Sequence, residues 1–249
     1  MQTHLALDFD GVICDSVDEC HLSALNGWRL LDGQRQLLTD FKALEQPAVE
    51  RFRQLRHLAH SAPEFWALIH FTYHEQGAVD RARFESKMQA EAAAAAAFEP
   101  LFFKARGQLR SADPGRWLGL NRIYPQFQSG WERIKGRLPV FIITTKDRES
   151  IRYFNRIWHL GIPDAHLWTK ERGMDKAQAL LSLARQVDCP PQNFIFVDDN
   201  PHHVRRVAAT GARCFLARWG YIDPQMSPSP ADNGIATLDQ LIDLLPFIP

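Results

Sequence analysis

Five short apolar segments, separated by helical patterns, constrain the fold of this chain more than any other feature. They predict strands over Leu5–Asp8, Val140–Thr144, His166–Trp168, Phe194–Asp198 and Cys214–Ala217. Several are nearly continuous apolar runs without alternation, which is typical of strands covered on both faces. Helical patterns over 148–159, 175–187 and 201–210 lie between the later strands. The sequence therefore predicts an α/β fold with a doubly wound, mostly parallel sheet.

The stretch from about 17 to 122 differs, because it has long polar helical patterns and no convincing strand. Ser16 followed by Glu19 predicts a capping box at its first helix. The run Ala92–Ala97 favours helix over linker, since alanine has the highest helix propensity. We expect an α/β domain formed by 1–16 and 123–249, with a helical domain over 17–122 inserted after the first strand. At the carboxyl end, Thr237 predicts the N-cap of a closing helix.

Composition narrows the class of protein. The 249 residues are 45% hydrophobic and 23% charged, close to the average for globular chains. Lys+Arg and Asp+Glu are both 29, which argues against a nucleic-acid partner. No apolar run reaches the ~18 residues of a membrane span, and acidic residues interrupt any signal-peptide pattern at the N-terminus. The four cysteines form no CxxC pair and predict reduced thiols in a cytoplasmic protein. The oligomeric state stays open.

An acidic pair follows the first strand. Asp8 and Asp10 are two residues apart in extended chain, so their carboxylates point to the same side, and Gly11 allows a tight turn with close ligand approach. They lie at the carboxyl end of a strand, where open α/β sheets bind their ligands. Taken alone, the motif is also compatible with an acidic turn that caps a helix.

A second acidic pair, Asp198 and Asp199, ends the strand over 194–198. Two pairs of carboxylates at one sheet edge repel each other unless they share a proton or bind a cation. A hard divalent cation such as Mg²⁺ prefers oxygen ligands and would remove this repulsion. The alternative is a simple turn and helix N-cap. Thr144 ends another predicted strand and places a hydroxyl at the same edge of the sheet. Lys176 begins a predicted helix, although most lysines at such positions are simply solvated surface residues.

These residues together resemble the four motifs of the haloacid dehalogenase-like superfamily. The matching segments are Asp8-Phe-Asp-Gly-Val-Ile-Cys-Asp-Ser, Ile143-Thr144-Thr-Lys, Lys176 and Val197-Asp-Asp199-Asn. The chain is most similar to phosphoglycolate-phosphatase-like and β-phosphoglucomutase-like members. The resemblance covers about 130 to 145 residues of core and implies a helical cap inserted after the first strand.

The resemblance implies a role for each motif residue. Asp8 is expected to be the nucleophile that forms an aspartyl-phosphate, and Asp10 the general acid and base. Thr144 is expected to donate to a phosphoryl oxygen and Lys176 to offset negative charge, while Gly11 and Thr145 are expected to contact substrate. Mg²⁺ is expected on Asp8, the Asp10 carbonyl and Asp199, with Asp198 as direct or indirect support.

Two positions depart from the pattern of the superfamily. His203 stands where many relatives carry a further acid, which affects the details of the metal site. Thr145 stands where many relatives have Asn, which we expect to affect substrate contacts more than the chemistry.

The helical insertion carries other candidates for chemistry. His70 and His74 have a spacing that can bind zinc, but ordinary histidines are the expected reading because no HExxH glutamate lies between them. Lys104, Arg106 and Arg110 could reach an anionic substrate, although we expect solvated helix charges. A Schiff-base lysine, as in phosphonoacetaldehyde-hydrolase-like enzymes, would need Lys42, Lys87 or Lys104, and nothing marks one as desolvated.

The sequence thus predicts a Mg²⁺-dependent phosphatase that acts on a small phosphorylated metabolite. Asp10 favours phosphoryl transfer over dehalogenation, because the dehalogenases lack that acid and need no metal. A phosphomutase of the β-phosphoglucomutase type and a non-catalytic binding protein with the same fold are the alternatives. The sequence does not name the substrate.

Overall fold

A computed structural model describes residues 2–75, 77–222 and 236–248. The chain forms two compact units, of which one comprises Met1–Asp15 with Ile123–Pro249 and the other Ser16–Arg122. The first unit is α/β and the second is helical. No helix in the described ranges is long and apolar enough to cross a membrane.

The α/β unit is built on a parallel sheet, which confirms the predicted fold class. Within the described residues the chain forms the strands β1 (His4–Leu7), β2 (Cys14–Asp15), β3 (Arg122–Ile123), β4 (Val140–Ile143), β5 (Leu167–Trp168), β6 (Phe194–Asp198), β7 (Arg213–Ala217) and β8 (Ala236–Leu238). Six of these pair in parallel in the order β5-β4-β1-β6-β7-β8. The five predicted strands all occur within about one residue of their expected ends.

Strand register places the functional segments side by side. Leu7, the last residue of β1, is aligned with Ile142 of β4 on one side and with Val197 of β6 on the other. All these strands run in the same direction, so Asp8, Thr144 and the end of β6 emerge at one edge of the sheet. This is the edge at which open α/β sheets bind ligands.

Helices cover both faces of the sheet. They are α7 (Pro125–Ile134), α8 (Arg148–Ile157), α9 (Lys176–Gln186) and α10 (Pro201–Ala208). The numbers follow chain order, and α1 to α6 belong to the helical unit described below. One face buries apolar side chains of α9 and α10 against alternate strand residues, including Phe141, Phe194 and Phe196. On the opposite face, Phe9 stacks on Phe154 of α8 with ring centroids 5.2 Å apart. The strands are therefore buried on both sides, as their continuous apolar runs predict.

The carboxyl end differs from the prediction. Thr237 lies in β8, because Ala236 and Leu238 pair with Phe215 and Ala217 of β7, so the expected N-cap is wrong. The apolar pattern that follows forms a 3₁₀ helix over Leu241–Phe247 instead of an α-helix. Its capping box is formed by Gln240 and Asp243.

The helical unit contains α1 (Val17–Leu31), α2 (Gln46–Leu55), α3 (Glu64–Tyr73), α4 (Arg81–Ala90), α5 (Ala92–Ala112) and α6 (Pro114–Gly119). The alanine run begins α5, which confirms that it is helical. Helix α1 starts after Ser16, but the Ser16 side chain makes no capping hydrogen bond. The capping-box prediction is wrong because Glu19 turns into the interior of this unit.

Glu19 binds a buried arginine of α5. Arg106 Nε lies 2.8 Å from Glu19 Oε1, and Arg106 Nη2 lies 3.0 Å from Glu19 Oε2. Both side chains are at most 3% exposed. Arg106 is therefore not the solvated charge that the sequence suggested, whereas Lys104 is exposed. His70 Nε2 lies 2.9 Å from Glu75 Oε2, consistent with an ordinary histidine.

Candidate active site

The candidate site begins at the end of β1. The Asp8 N–H donates to the carbonyl of Val197 at 2.9 Å, so the ladder between β1 and β6 continues through the predicted nucleophile. The N–H of Phe9 donates to Asp8 Oδ1 at 2.7 Å, and Asp8 is 7% exposed. The strand ladder and this local bond fix the Asp8 carboxylate at the sheet edge.

Lys176 links the two acidic motifs. Its Nζ lies 2.6 Å from Asp8 Oδ2 and 2.7 Å from Asp198 Oδ2. Lys176 is the first residue of α9, whose N-cap Asp175 accepts hydrogen bonds from the N–H groups of Ala177 and Gln178. A cation at a helix N-terminus is disfavoured by the helix dipole, so the two carboxylates must hold Lys176 there.

The electrostatics of these buried groups are strongly coupled. Burial raises the pKa of Asp8 to about 6, although the Lys176 ammonium opposes this by favouring the carboxylate. Burial also disfavours the Asp198 carboxylate, but Lys176 and His203 outweigh it and hold the pKa of Asp198 well below its usual range. Burial similarly opposes the charge on Lys176, yet Asp198 and Asp8 raise its pKa. Asp198 and Lys176 therefore form an ion pair, and Asp8 is the more readily protonated of the two carboxylates.

Both carboxylate oxygens of Asp198 contact protein groups. The N–H of Asn200 donates to Asp198 Oδ1 at 2.8 Å, while Oδ2 faces Lys176. His203 Nδ1 lies 3.3 Å from the same Oδ2. The histidine that replaces the further acid of many relatives thus contacts Asp198.

Asp199 is enclosed by two glycines. A Cβ atom added at either Gly11 or Gly220 would overlap the Asp199 side chain. The N–H of Tyr221 donates to Asp199 Oδ2 at 2.6 Å, and the Trp219 indole N–H donates to the Val12 carbonyl at 2.9 Å. The segment 219–221 therefore covers the Asp199 carboxylate and fixes its orientation.

Asp10 is bound by a second lysine, which has no predicted role. Lys146 Nζ lies 3.1 Å from Asp10 Oδ1 and 3.3 Å from Asp10 Oδ2. The Lys146 side chain is completely buried, whereas that of Asp10 is 17% exposed. The Lys146 N–H donates to Thr144 Oγ1 at 3.2 Å. The predicted acid and the predicted phosphate donor are therefore connected through Lys146.

The donor set fits a hard divalent cation. Among the described residues, the group of side chains close enough to share a metal ion is Asp8, Asp198 and Asp199, whose ligating oxygens lie within 4.8 Å of one another. Three buried carboxylates supply only oxygen ligands, which is the chemistry that Mg²⁺ prefers. The Asp10 carboxylate lies outside this group and contacts Lys146 instead.

Other predicted residues lie at the same edge. Thr144 is buried at the end of β4, and its N–H donates to the Trp168 carbonyl at 2.9 Å. Gly11 has a φ of +86° and donates its N–H to the Cys14 carbonyl. Because it has no Cβ atom, it also leaves room for the Asp199 side chain. Thr145 is partly exposed. Substrate contact by Gly11 or Thr145 remains a prediction.

Sequence reasoning missed Lys146 and the segment 219–221. The role of Lys146 depends on its tertiary contact with Asp10, so its place two residues after Thr144 gives no sequence signal for that role. The backbone N–H of Tyr221 and the small size of Gly220 carry no such signal, because their role depends on tertiary contact with Asp199.

Comparison with solved structures gives strong fold similarity at low sequence identity. A predicted phosphoglycolate phosphatase from Haemophilus somnus 129PT matches with a TM-score of 0.65 and 14% identity, over 100% of this chain and 98% of that one. A haloacid dehalogenase-like hydrolase family protein from Streptococcus pneumoniae matches with a TM-score of 0.62 and 13% identity, over 100% and 99%. A HAD-superfamily hydrolase of subfamily IA from Geobacter sulfurreducens PCA gives 0.55 and 15%, over 100% and 97%.

These similarities establish the fold. The chain has the haloacid dehalogenase-like fold over its whole length, which confirms at the level of fold the resemblance seen in the motifs. No protein-family model matches the sequence, and no curated protein matches it either.

Proposed function

We propose that this protein is a Mg²⁺-dependent phosphatase that hydrolyses a small phosphorylated metabolite through an aspartyl-phosphate on Asp8. The observation that carries the proposal is the position of Lys176 Nζ, 2.6 Å from Asp8 and 2.7 Å from Asp198 at the ligand-binding edge of the sheet. A buried carboxylate held beside an ammonium can meet an anionic phosphate without prohibitive repulsion.

In the first step, a carboxylate oxygen of Asp8 attacks phosphorus and the bond between phosphorus and the leaving oxygen breaks. Asp10 gives its proton to that oxygen, so the product leaves as an alcohol. Thr144 donates to a phosphoryl oxygen, and Lys176 offsets the charge on the nucleophile and the phosphoryl group. The aspartyl-phosphate and the Asp10 carboxylate remain.

In the second step, water attacks phosphorus and gives a proton to the Asp10 carboxylate. The bond between Asp8 and phosphorus breaks, which releases inorganic phosphate and restores the Asp8 carboxylate. Asp10 is then protonated for the next cycle, so acid and base are the same residue in alternate steps.

Asp8, Asp199 and the Asp10 backbone carbonyl would hold the cation, with Asp198 supporting it through Lys176. A bound Mg²⁺ supplies positive charge that favours the Asp8 carboxylate and neutralises phosphoryl oxygens. Burial raises the pKa of Asp8, so a cation bound beside it would further favour the carboxylate that attacks phosphorus. The helical unit Ser16–Arg122 would serve as a cap that selects the substrate.

The test is phosphate release from a panel of phosphorylated metabolites, with Mg²⁺ or with EDTA. We expect turnover with Mg²⁺, loss in EDTA, and a fall of roughly 10³-fold or more in Asp8→Asn, as when a nucleophile is removed. Asp32→Asn makes the same chemical change at an exposed aspartate and should retain activity. Isomerised sugar phosphate without free phosphate would indicate a mutase, and binding without turnover would indicate a non-catalytic protein.

A further inference from the structure

Lys146 is a second buried lysine of the candidate site. Its side chain has no exposed surface, although an ammonium loses favourable hydration when it leaves water. Such a charge is retained only where a partner compensates it. Asp10 is such a partner, since both of its carboxylate oxygens lie within 3.3 Å of Nζ.

The surroundings hold Lys146 in place. Its N–H donates to Thr144 Oγ1 at 3.2 Å, and its carbonyl accepts from the N–H of Lys170 at 3.2 Å. Its Nζ lies 5.8 Å from the ring centroid of Phe154, which itself stacks on Phe9 between the two acids. The Lys146 backbone is therefore held by two hydrogen bonds, and its ammonium lies near the Phe154 ring.

Two lysines contact the acidic side chains of the site, each a different set. Lys176 compensates Asp8 and Asp198, whereas Lys146 contacts Asp10. Without Lys146, the Asp10 carboxylate would follow Asp8 by two residues with like-charge repulsion between them. That repulsion would drive the partly exposed Asp10 side chain toward solvent and away from the leaving oxygen.

We propose that Lys146 is a positioning residue that holds the Asp10 carboxylate in the orientation required for proton transfer. This inference rests on the proposed function, since it assigns Lys146 a part in the same reaction. Contact of Nζ with both oxygens restricts rotation of the carboxylate, and 17% of the Asp10 side chain is exposed.

The test is a double-mutant cycle on turnover between Lys146→Met and Asp10→Asn. General acid–base catalysis contributes typically about 10²- to 10⁴-fold, so a misplaced Asp10 should lower kcat by roughly 10- to 100-fold in Lys146→Met, with KM within about twofold of wild type. In the Asp10→Asn background, the same Lys146→Met change should have no further effect on kcat, because the residue it positions is already disabled.

Two further variants make the result interpretable. Lys146→Gln keeps a hydrogen-bond donor without charge and should give an intermediate kcat, which also preserves the test if the methionine variant fails to fold. Lys135→Met removes a partly exposed lysine that pairs with Glu132 at 2.6 Å and should behave as wild type.

Several outcomes would overturn the inference. Independent, multiplicative losses in the double variant would mean that Lys146 does not act through Asp10. A rise in KM with unchanged kcat would make Lys146 a substrate-binding residue, and wild-type kinetics would make it structural only. An inactive wild-type protein would instead refute the proposed function itself, so the two failures are distinguishable.

Discussion

At the scale of single residues, the site depends on two glycines as much as on its charged side chains. The Asp199 carboxylate lies between Gly11 and Gly220, and neither position has room for a Cβ atom. The N–H of Tyr221, next to Gly220, donates to Asp199 Oδ2. Gly220 is therefore needed for the segment 219–221 to approach close enough to orient a proposed metal ligand.

We predict that Gly220→Ala weakens Mg²⁺ binding by roughly 10- to 100-fold, the range seen when groups that orient metal ligands are lost. The added methyl group would overlap the Asp199 side chain and the Gly11 carbonyl, so we expect Asp199 to leave the orientation in which it accepts from Tyr221. Isothermal titration of Mg²⁺ measures this directly.

Gly107→Ala provides the control for this substitution. A Cβ atom at Gly107 meets no heavy atom within 4 Å, so Mg²⁺ affinity should be unchanged. Equal Mg²⁺ affinity in Gly220→Ala and wild type would show that the segment 219–221 does not position Asp199.

At the scale of elements, the helical unit is held together by a charged contact inside an apolar interface. Glu19 of α1 and Arg106 of α5 form a two-bond pair with almost no exposure, and Ser23 Oγ donates to Glu19 Oε1 at 2.6 Å. The Arg106 guanidinium also lies 4.5 Å from the ring centroid of Phe102. Loss of either charge alone would therefore leave its partner buried without compensation between α1 and α5.

We predict that Arg106→Met lowers the free energy of unfolding of the helical unit by about 3–5 kcal/mol, because it leaves Glu19 buried without its cation. Removing both charges in Glu19→Gln/Arg106→Met should recover much of that loss. Urea denaturation followed by circular dichroism gives the values.

Lys104→Met, at an exposed position of the same helix, should change the unfolding free energy by less than about 0.5 kcal/mol. If the Arg106→Met loss and the Glu19→Gln loss simply add, the pair is not coupled and the account of the α1–α5 interface is wrong.

Element-scale errors of the sequence reasoning have physical causes. Ser16 and Glu19 have the spacing of a capping box, but an ion pair with Arg106, 87 residues away, binds the glutamate more strongly than a local bond would. Thr237 was expected to cap a helix, yet pairing with β7 places it in a strand. In both cases a tertiary contact overrode a local signal.

At the scale of the whole molecule, strand order assembles the site from distant parts of the chain. Asp8 follows β1, Thr144 follows β4 and Asp198 ends β6, and these three strands are neighbours in the sheet. Strand ends and apolar runs are visible in sequence, so the fold and most of the candidate site were predictable. The pairing of Lys146 with Asp10 was not, because it depends on how β4 and β1 are aligned.

In the proposed mechanism Asp8 carries the phosphoryl group, and chemical trapping of that group is the decisive test. An aryl phosphate has a leaving group that needs no protonation, so Asp10→Asn should complete the first step and fail in the second. Acid quenching, peptide mass spectrometry and sensitivity to hydroxylamine would locate the phosphoryl group. We expect one acyl phosphate on the peptide containing Asp8 and none in Asp8→Asn. A phosphoryl group on His203 or another residue would contradict it, as would turnover of the aryl phosphate by Asp8→Asn at the wild-type rate.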